Sequence, residues 1–383
     1  MSGVGGNIDF IDQNKGAPKV HQYAVDVQRE LPGQMSMTLG YMGSTGRDIG
    51  YGGFTNTALE GNQIDPATLA KDASGHWDAA ALRRSVPNPF FGVPGAGELG
   101  TSATILAGQL LRPFPQFNSI SQLQTTAGGR RQYNAVTAKL DKRVTRLWGG
   151  HFNYTWSRML DNQWGQTSTF GSGLPVAGGA PQNFYDLGPE YGLSSIDTPH
   201  RIVLAPIVRI PGPAPTSPAG WIIGGWSASA IIEFVSGPPV SAYVTALSAA
   251  DLGLFGGLQR PNLTGADVST PGSDVDRIAT ADHPAATWLN PAAYANPGIG
   301  AYGTAPRTDG NNRYQFRKNV DAVFTKETSF GGRSAEVRFE ILNLTNAPKF
   351  AGAQTDISSA AFGQITTSRG FSRILQLSFR FKF

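Results

Sequence analysis

The sequence predicts an all-β fold, namely a portion of an antiparallel transmembrane β-barrel with long extracellular loops. Three observations support this prediction. Segments of about ten residues alternate apolar and polar side chains, which is the length a tilted strand needs to cross a bilayer. Short turns alternate with long loops along the chain. The last segment ends in alternating aromatic residues at Phe379, Phe381 and Phe383.

The composition is consistent with many strands joined by turns and loops. The 383 residues include 48 glycines and 26 prolines, and only 15% of the residues are charged. Glycine and proline favour turns and loops. No stretch approaches the roughly 18 to 20 apolar residues that a membrane-spanning helix requires. A mean hydropathy of −0.20 still allows a membrane barrel, because polar lumen-facing residues dilute the apolar ones.

Four hairpins and a final strand account for the alternating segments. In residues 335–344, for example, Val337 and Phe339 fall on one face, whereas Glu336 and Arg338 fall on the other. The predicted strands are residues 20–31, 35–42, 132–143, 150–160, 200–210, 224–235, 319–328, 335–344 and 372–383. We therefore expect about nine strands that form one sheet.

The long connections all fall on one edge of this predicted sheet. They cover residues 43–131, 161–199, 236–318 and 345–371. Outer-membrane barrels have this asymmetry, with short periplasmic turns and longer extracellular loops. We expect ligand-binding groups among the aromatic and polar residues of 43–131 and 236–318.

The direction in which the apolar face points distinguishes a membrane barrel from a water-soluble protein. Burial of an unpaired charge in a dry core would cost several kcal/mol for each of Glu336, Arg338 and Glu340. The same residues cost little beside a water-filled or plugged lumen, so we expect the apolar face to contact outer-membrane lipid. A water-soluble barrel or sandwich with its apolar face inside remains the alternative, because alternation alone does not say which face meets lipid.

Residue types typical of enzyme sites do not form a recognisable pattern. There are no cysteines, and none of the five histidines belongs to a metal-binding or nucleophile motif. His200 follows Asp197 by three residues, and we expect it in the turn that leads into a strand. The sequence thus predicts no catalytic, cofactor or metal residues. The net charge of +4 is scattered, which argues against nucleic acid as a partner.

Ten blocks of sequence, spread over nearly the whole chain, resemble the barrel of TonB-dependent receptors, specifically the Oar-like group. They are VQRELP (27–32), GYMGSTG (40–46), VPNPFFG (86–92), LRPFPQF (111–117), YNAV with KLDKR (133–143), YTWSRMLD (154–161), HRIVL (200–204), RPNL (260–263), NPAAY (290–294) and RFEILNLTN (338–346). None of these blocks is specific alone. Their order along the chain makes the resemblance specific.

The resemblance implies a barrel of about 22 strands around an N-terminal plug, with transport energised by the TonB complex. In this family the plug follows a carboxypeptidase-regulatory-like domain. Residues 1–383 lack a recognisable signal peptide, plug and TonB box. We therefore expect them to be the C-terminal portion of such a barrel, a fragment whose partners include the missing plug and barrel half.

The last strand also resembles the signal that the barrel assembly machinery reads in outer-membrane proteins. Its candidate residues are Leu377, Phe379, Phe381 and Phe383. An amphipathic strand of this kind can pair with an open sheet edge of the machinery. The simpler alternative, which does not exclude the first, is that these residues only face lipid.

The expected function is that of the wall and outer loops of a transporter that takes up an unknown extracellular ligand across the outer membrane. A surface adhesin or ligand-binding barrel without transport is the alternative, because long loops fit it equally well. An outer-membrane hydrolase would need paired acids or a Ser/His set at the outer rim, and the sequence shows no such set.

Overall fold

The computed structural model describes residues 3–11, 13, 16–49, 59–123, 128–162, 181–214, 216–245, 259–298 and 301–383. The strands in this part of the chain are β1 (Asn7–Ile11), β2 (Lys19–Leu31), β3 (Met35–Arg47), β4 (Leu59–Glu60), β5 (Ser85–Pro87), β6 (Thr104–Leu106), β7 (Ser119–Leu123), β8 (Arg130–Lys142), β9 (Trp148–Asp161), β10 (Gly192–Leu193), β11 (His200–Arg209), β12 (Trp226–Val235), β13 (Pro239–Val240), β14 (Asn262–Leu263), β15 (Tyr294–Ala295), β16 (Asp309–Arg313), β17 (Arg317–Phe330), β18 (Arg333–Leu342) and β19 (Ile374–Lys382). The helices are α1 (Ala79–Arg83), α2 (Ala107–Leu110) and α3 (Gly220–Ile223).

The nine long strands form one antiparallel sheet in the order β19-β18-β17-β12-β11-β9-β8-β3-β2, which confirms the all-β, antiparallel prediction. Each predicted strand has a counterpart in this sheet. The outer edges of β2 and β19 have no strand partner among the described residues, so the sheet is open there. No helix among the described residues is long and apolar enough to cross a membrane.

The observed strand bounds differ from the predicted ranges by one to five residues, and two strands show why. β3 continues to Arg47, past the predicted end at residue 42, because it pairs with β2 and β8 along its whole length. The predicted strand 224–235 begins instead at Trp226, since the preceding residues form α3 and a turn. The alternation rule sees only side chains, whereas pairing with neighbouring strands decides where a strand ends.

The pairing register aligns the more apolar side of the nine strands on one face of the sheet, although the other face also holds apolar residues such as Val203 and Ile207 of β11. Across the β18–β19 pair, Val337 lies opposite Phe379 and Phe339 lies opposite Leu377. We call this the apolar face; its members in the middle of the strands are Val25, Val27, Leu39, Tyr41, Val136, Ala138, Phe152, Tyr154, Ile202, Leu204, Ala230, Ile232, Val320, Ala322, Val337, Phe339, Leu375 and Leu377. The opposite side is the polar face.

The four long connections lie at one end of the sheet, the outer end. We name them L1 (residues 48–129), L2 (162–199), L3 (236–316) and L4 (343–373). At the other end the turns are shorter, although the β11–β12 connection holds α3. L1 also contributes β4 and β7 to a small sheet in which β7 pairs in parallel with β1.

Candidate functional site

The outer loops fold into a cap that packs on the polar face at the outer end of the sheet. Four residues of that face are almost fully buried there, namely Ala135, Ser157, Asp161 and Val235. On the apolar face, by contrast, side chains such as that of Leu377 stay exposed (72%). The described part of the cap therefore buries the polar face at the outer end, while the buried residues of the apolar face include Ala322, Lys326 and Ile341 of β17 and β18.

Three buried or half-buried ion pairs fasten L3 to L2 and to the adjoining end of β9. Arg307 Nη2 donates to Oδ1 of Asp161 (2.7 Å), and both side chains are at least 95% buried, with 5% and 2% exposure. The other two pairs are Arg260 with Glu190 (2.8 Å) and Arg313 with Asp197 (2.7 Å). In all three pairs the arginine comes from L3.

Additional hydrogen bonds hold the buried charges in place. The Ser194 hydroxyl donates to Oδ2 of Asp161 (2.5 Å), and Arg307 also donates to the backbone oxygens of Asp161 (2.8 Å) and Glu190 (3.1 Å). Burial lowers the pKa of Arg260, and the nearby Glu190 opposes that shift. Buried charges are stable only when paired and hydrogen-bonded in this way.

A glutamine links L1 to the rest of the cap. Gln63 is fully buried and donates to the backbone oxygen of Gln182 and to the Tyr302 hydroxyl, both at 2.9 Å. Its own side-chain oxygen accepts from the Phe184 amide (2.6 Å), and the Tyr185 hydroxyl donates to its backbone oxygen (3.0 Å). Burial raises the pKa of Tyr302, so its hydroxyl stays protonated and able to donate.

L3 and L4 share a hydrophobic core of their own. Its buried members are Val240, Ala242, Ile278, Trp288, Leu289, Tyr314, Ala353, Phe362 and Ile365. Trp288 is 1% exposed, its Nε1 donates to the backbone oxygen of Arg313 (2.9 Å), and the Arg277 guanidinium lies 4.0 Å from its ring centre. The cap is thus a folded unit and not a set of loose loops.

A cavity of about 350 Å³ lies next to this core. Its lining includes Tyr243, Gln354, Thr355, Gln364 and Thr366. These side chains offer amide and hydroxyl groups and no formal charge. The cavity is therefore suited to a small neutral polar group, and it is our candidate contact point for a ligand in the cap.

Charged residues of the polar face pair with each other across and along strands. Arg201 donates to Glu233 (2.9 Å) from β11 to β12, and Arg338 lies 2.5 Å from Glu340 within β18. His151 lies 2.5 Å from Asp141 on the neighbouring strand β8, so a histidine–acid contact exists that the sequence did not show. Cross-strand neighbours are far apart in sequence, which is why local spacing missed this pair.

His200 is the first residue of β11, as expected for a histidine that leads into a strand. The Tyr154 hydroxyl lies 2.9 Å from its Nδ1. In the part of the chain that the structure describes, no group of three His, Cys, Asp or Glu side chains could hold a metal ion.

The four candidate residues of the assembly signal lie along the edge strand β19 and just beyond its end. Leu377 and Phe379 are 72% and 68% exposed on the apolar face, and Phe381 lies opposite Ala335. Phe383 follows the strand and is 96% exposed. All four side chains therefore lie beside the open edge of the sheet.

Comparison with known families identifies this architecture. The sequence profile of the outer membrane beta barrel domain matches residues 2–376. The chain belongs to the outer membrane beta-barrel domain family. Its place is the outer membrane, which is a lipid environment. No curated protein matches the chain significantly.

Solved structures of outer-membrane proteins resemble the chain in shape. The outer membrane transporter YddB from Escherichia coli aligns with a TM-score of 0.44 at 8% identity, over 98% of this chain and 34% of that one. The FpvAI–pyocin S2 complex aligns with a TM-score of 0.36 at 10% identity, over 94% and 27%. The ferripyoverdine receptor of Pseudomonas aeruginosa, bound to ferripyoverdine, gives 0.36 at 9% identity, also over 94% and 27%. The chain spans about a third or less of each solved chain.

Proposed function

We propose that this chain supplies part of the wall and the outer loops of a TonB-dependent transporter, which takes up a ligand across the outer membrane. In this proposal residues 1–383 are the C-terminal portion of an Oar-like barrel of about 22 strands. A plug and the remaining strands complete the lumen. The chain has no catalytic role; it encloses and guides a ligand.

The observation that carries the proposal is the one-sided position of the cap. The described loops bury residues of the polar face at the outer end, such as Asp161 and Val235, whereas most side chains of the apolar face remain at least partly exposed. A sheet that only anchored an adhesin would have no need for loops folded over its polar side. A conduit does need this arrangement, because folded loops at its mouth restrict passage and can contact a ligand before it passes inward.

The polar face supports the same proposal. Charges such as Arg201 and Glu233 are paired but remain partly exposed, with 58% and 34% of their side chains accessible. A lumen filled by water or by a hydrated plug suits such half-exposed ion pairs. A dry protein core would not, because their desolvation would outweigh their attraction.

The test removes the gene for the complete protein from its own bacterium and measures uptake of labelled siderophores, glycans, peptides and cobalamin. A parallel strain lacks TonB. We expect both strains to lose uptake of the same ligand, while a strain with a cap variant such as Thr355→Val, which changes the cavity lining, loses part of it. Loss of surface binding with unchanged uptake of every ligand would favour the adhesin and contradict transport.

We also propose that Leu377, Phe379, Phe381 and Phe383 form the signal read by the barrel assembly machinery. Pairing with an open sheet edge requires a strand with a free edge, and β19 has one among the described residues. Phe383→Ala should lower the amount of protein in the outer membrane severalfold. The matched control is Phe371→Ala, which removes an equally exposed ring (82%) outside the strand. Equal amounts of the two variants would contradict this role.

A further inference from the structure

Acidic and basic residues are distributed unequally between the two faces of the sheet. All nine acidic residues of the nine long strands lie on the polar face: Asp26, Glu30, Asp141, Asp161, Glu233, Asp321, Glu327, Glu336 and Glu340. The apolar face has none, yet it has basic residues toward the strand ends. The charge on the lipid side of this sheet is therefore entirely positive.

Three of these basic residues form a row at the outer end of the sheet. Lys19, Arg47 and Arg130 are direct register partners on β2, β3 and β8. Directly opposed like charges destabilise a sheet unless an anion lies between them. Lys19 contacts Asp48 at 3.6 Å, whereas neither guanidinium forms an ion pair within the part of the chain that the structure describes. We call Lys19, Arg47 and Arg130 the basic row.

The residues below the basic row change in an ordered way along the strands. The next register line holds His21, Thr45 and Gln132, and the line after it holds Tyr23, Gly43 and Asn134. A purely apolar and aromatic line of Val25, Tyr41 and Val136 then follows. This line is six residues from the basic row, about 20 Å along a strand. Charge, polar groups and apolar groups thus follow one another as they do from the headgroups to the acyl chains of a leaflet.

A cavity lies between the two arginines. It measures about 360 Å³ and is lined by Arg47, Asp48, Gly128, Gly129 and Arg130. Guanidinium groups bind phosphate through paired hydrogen bonds with matching geometry. Asp48 is the one acid in this lining, and Lys19 lies within ion-pair distance of its carboxylate. The side chains of Arg47 and Arg130 can therefore bind an anion in this cavity.

We propose that the basic row and this cavity bind the phosphate group of a phosphorylated lipid in the outer leaflet. The acyl chains of that lipid lie along the apolar face below the row. The site holds lipid against the outside of the barrel and is separate from the ligand path on the polar face. It accounts for opposed like charges beside a cavity whose described lining provides one acid, Asp48.

The test uses the complete protein, purified in a non-ionic detergent, and measures lipid binding by native mass spectrometry. The probes are bisphosphorylated lipid A, the same lipid without its phosphates, and inorganic phosphate. We expect Arg47→Gln/Arg130→Gln to weaken binding of the phosphorylated lipid at least tenfold and to leave binding of the dephosphorylated lipid unchanged. Arg47→Lys/Arg130→Lys should restore part of the loss, because it keeps the charge but not the paired geometry.

The matched control is Arg29→Gln/Arg333→Gln, which removes the same charge from the apolar face at the opposite end of the sheet. It should change binding of the phosphorylated lipid less than twofold. Equal weakening by both double variants would reduce the effect to net charge and overturn the proposal. An Arg47→Gln/Arg130→Gln variant that binds the phosphorylated lipid with wild-type affinity would also overturn it. So would displacement of that lipid by inorganic phosphate at an equal concentration of phosphate groups.

Discussion

The sheet and the cap bury their apolar groups in different ways. In the sheet, Val25 and Leu377, on the apolar face of the two edge strands, remain 69% and 72% exposed. In the cap, Trp288 and Leu289 are 1% and 0% exposed, because L3 and L4 pack against each other. The sheet therefore depends on lipid for its stability, whereas the cap carries its own core. One chain combines a membrane surface with a water-soluble type of packing.

The largest effect should come from breaking a buried ion pair of the cap. Arg307→Met removes the guanidinium that pairs with the buried Asp161 carboxylate, and breaking a buried ion pair typically costs about 3 to 5 kcal/mol. Denaturant unfolding in detergent micelles, followed by proteolysis of L2, would measure the loss. The control Arg201→Met removes an arginine of the sheet whose pair with Glu233 is exposed, and it should cost at most about 1 kcal/mol. Similar losses for both variants would mean that the cap has no buried core.

A charge on the apolar face should have the next largest effect. Leu377→Arg places a guanidinium where we expect the middle of the bilayer, at a cost of about 2 to 4 kcal/mol. Ser378→Arg, one residue further along the same strand, points to the polar face and should cost far less. The measurement is the free energy of unfolding from lipid vesicles. A larger loss for Ser378→Arg would mean that the faces are assigned the wrong way round.

A tight backbone contact within the sheet should give an intermediate effect. Gly150 has a φ of +150°, and a Cβ there would lie 2.6 Å from the backbone oxygen of Ala205. Gly150→Ala should therefore force β9 and β11 apart, at about 1 to 3 kcal/mol. Gly192→Ala is the control, because a Cβ there would meet nothing within 4 Å. The measurement is the midpoint of thermal unfolding in micelles, which should fall for Gly150→Ala and stay near the wild-type value for Gly192→Ala. An unchanged midpoint for Gly150→Ala would contradict the close approach.

The smallest effect should be a pH dependence of the cap. Burial raises the pKa of Asp309, which the hydrogen bond from the Asn311 amide (2.9 Å) only partly offsets. A carboxyl group whose pKa is raised in the folded state favours folding while it is protonated, and this contribution is lost as pH rises through the folded pKa. Wild-type cap stability should thus fall relative to Asp309→Asn as the pH rises above about 4, the usual pKa of an aspartate. Parallel curves for the two proteins would contradict a raised pKa.

The sheet could be predicted from the sequence, because apolar and polar side chains alternate within each strand and so show its two faces. Residues 335–344 alternate so regularly that both the strand and its apolar side follow from local spacing. The cap could not be predicted in this way. Asp161 and Arg307 are 146 residues apart, and Gln63 and Tyr302 are 239 apart, so no local pattern brings them together. Buried polar contacts between loops depend on the assembled fold, which short-range spacing does not encode.

The basic row illustrates an intermediate case. In the sequence, nothing distinguishes Lys19, Arg47 and Arg130 from other basic residues. Only the register of β2, β3 and β8 places them side by side. The strands predicted from alternation, 20–31, 35–42 and 132–143, end just short of these three residues. Alternation could not have shown that the three face one another.

The most direct test of the membrane assignment is a cysteine scan of β19 in the complete protein reconstituted in vesicles. The chain described here has no cysteine, so each introduced residue is the only label site that this part of the protein supplies. Spin labels at Leu375, Leu377 and Phe379 should be accessible to oxygen dissolved in lipid, whereas labels at Gln376 and Ser378 should be accessible to a water-soluble nickel chelate. This twofold repeat is expected if the apolar face meets lipid. If neither oxygen nor the nickel chelate reached the labels at Leu375, Leu377 and Phe379, these side chains would lie in a packed protein core. That result would contradict the account.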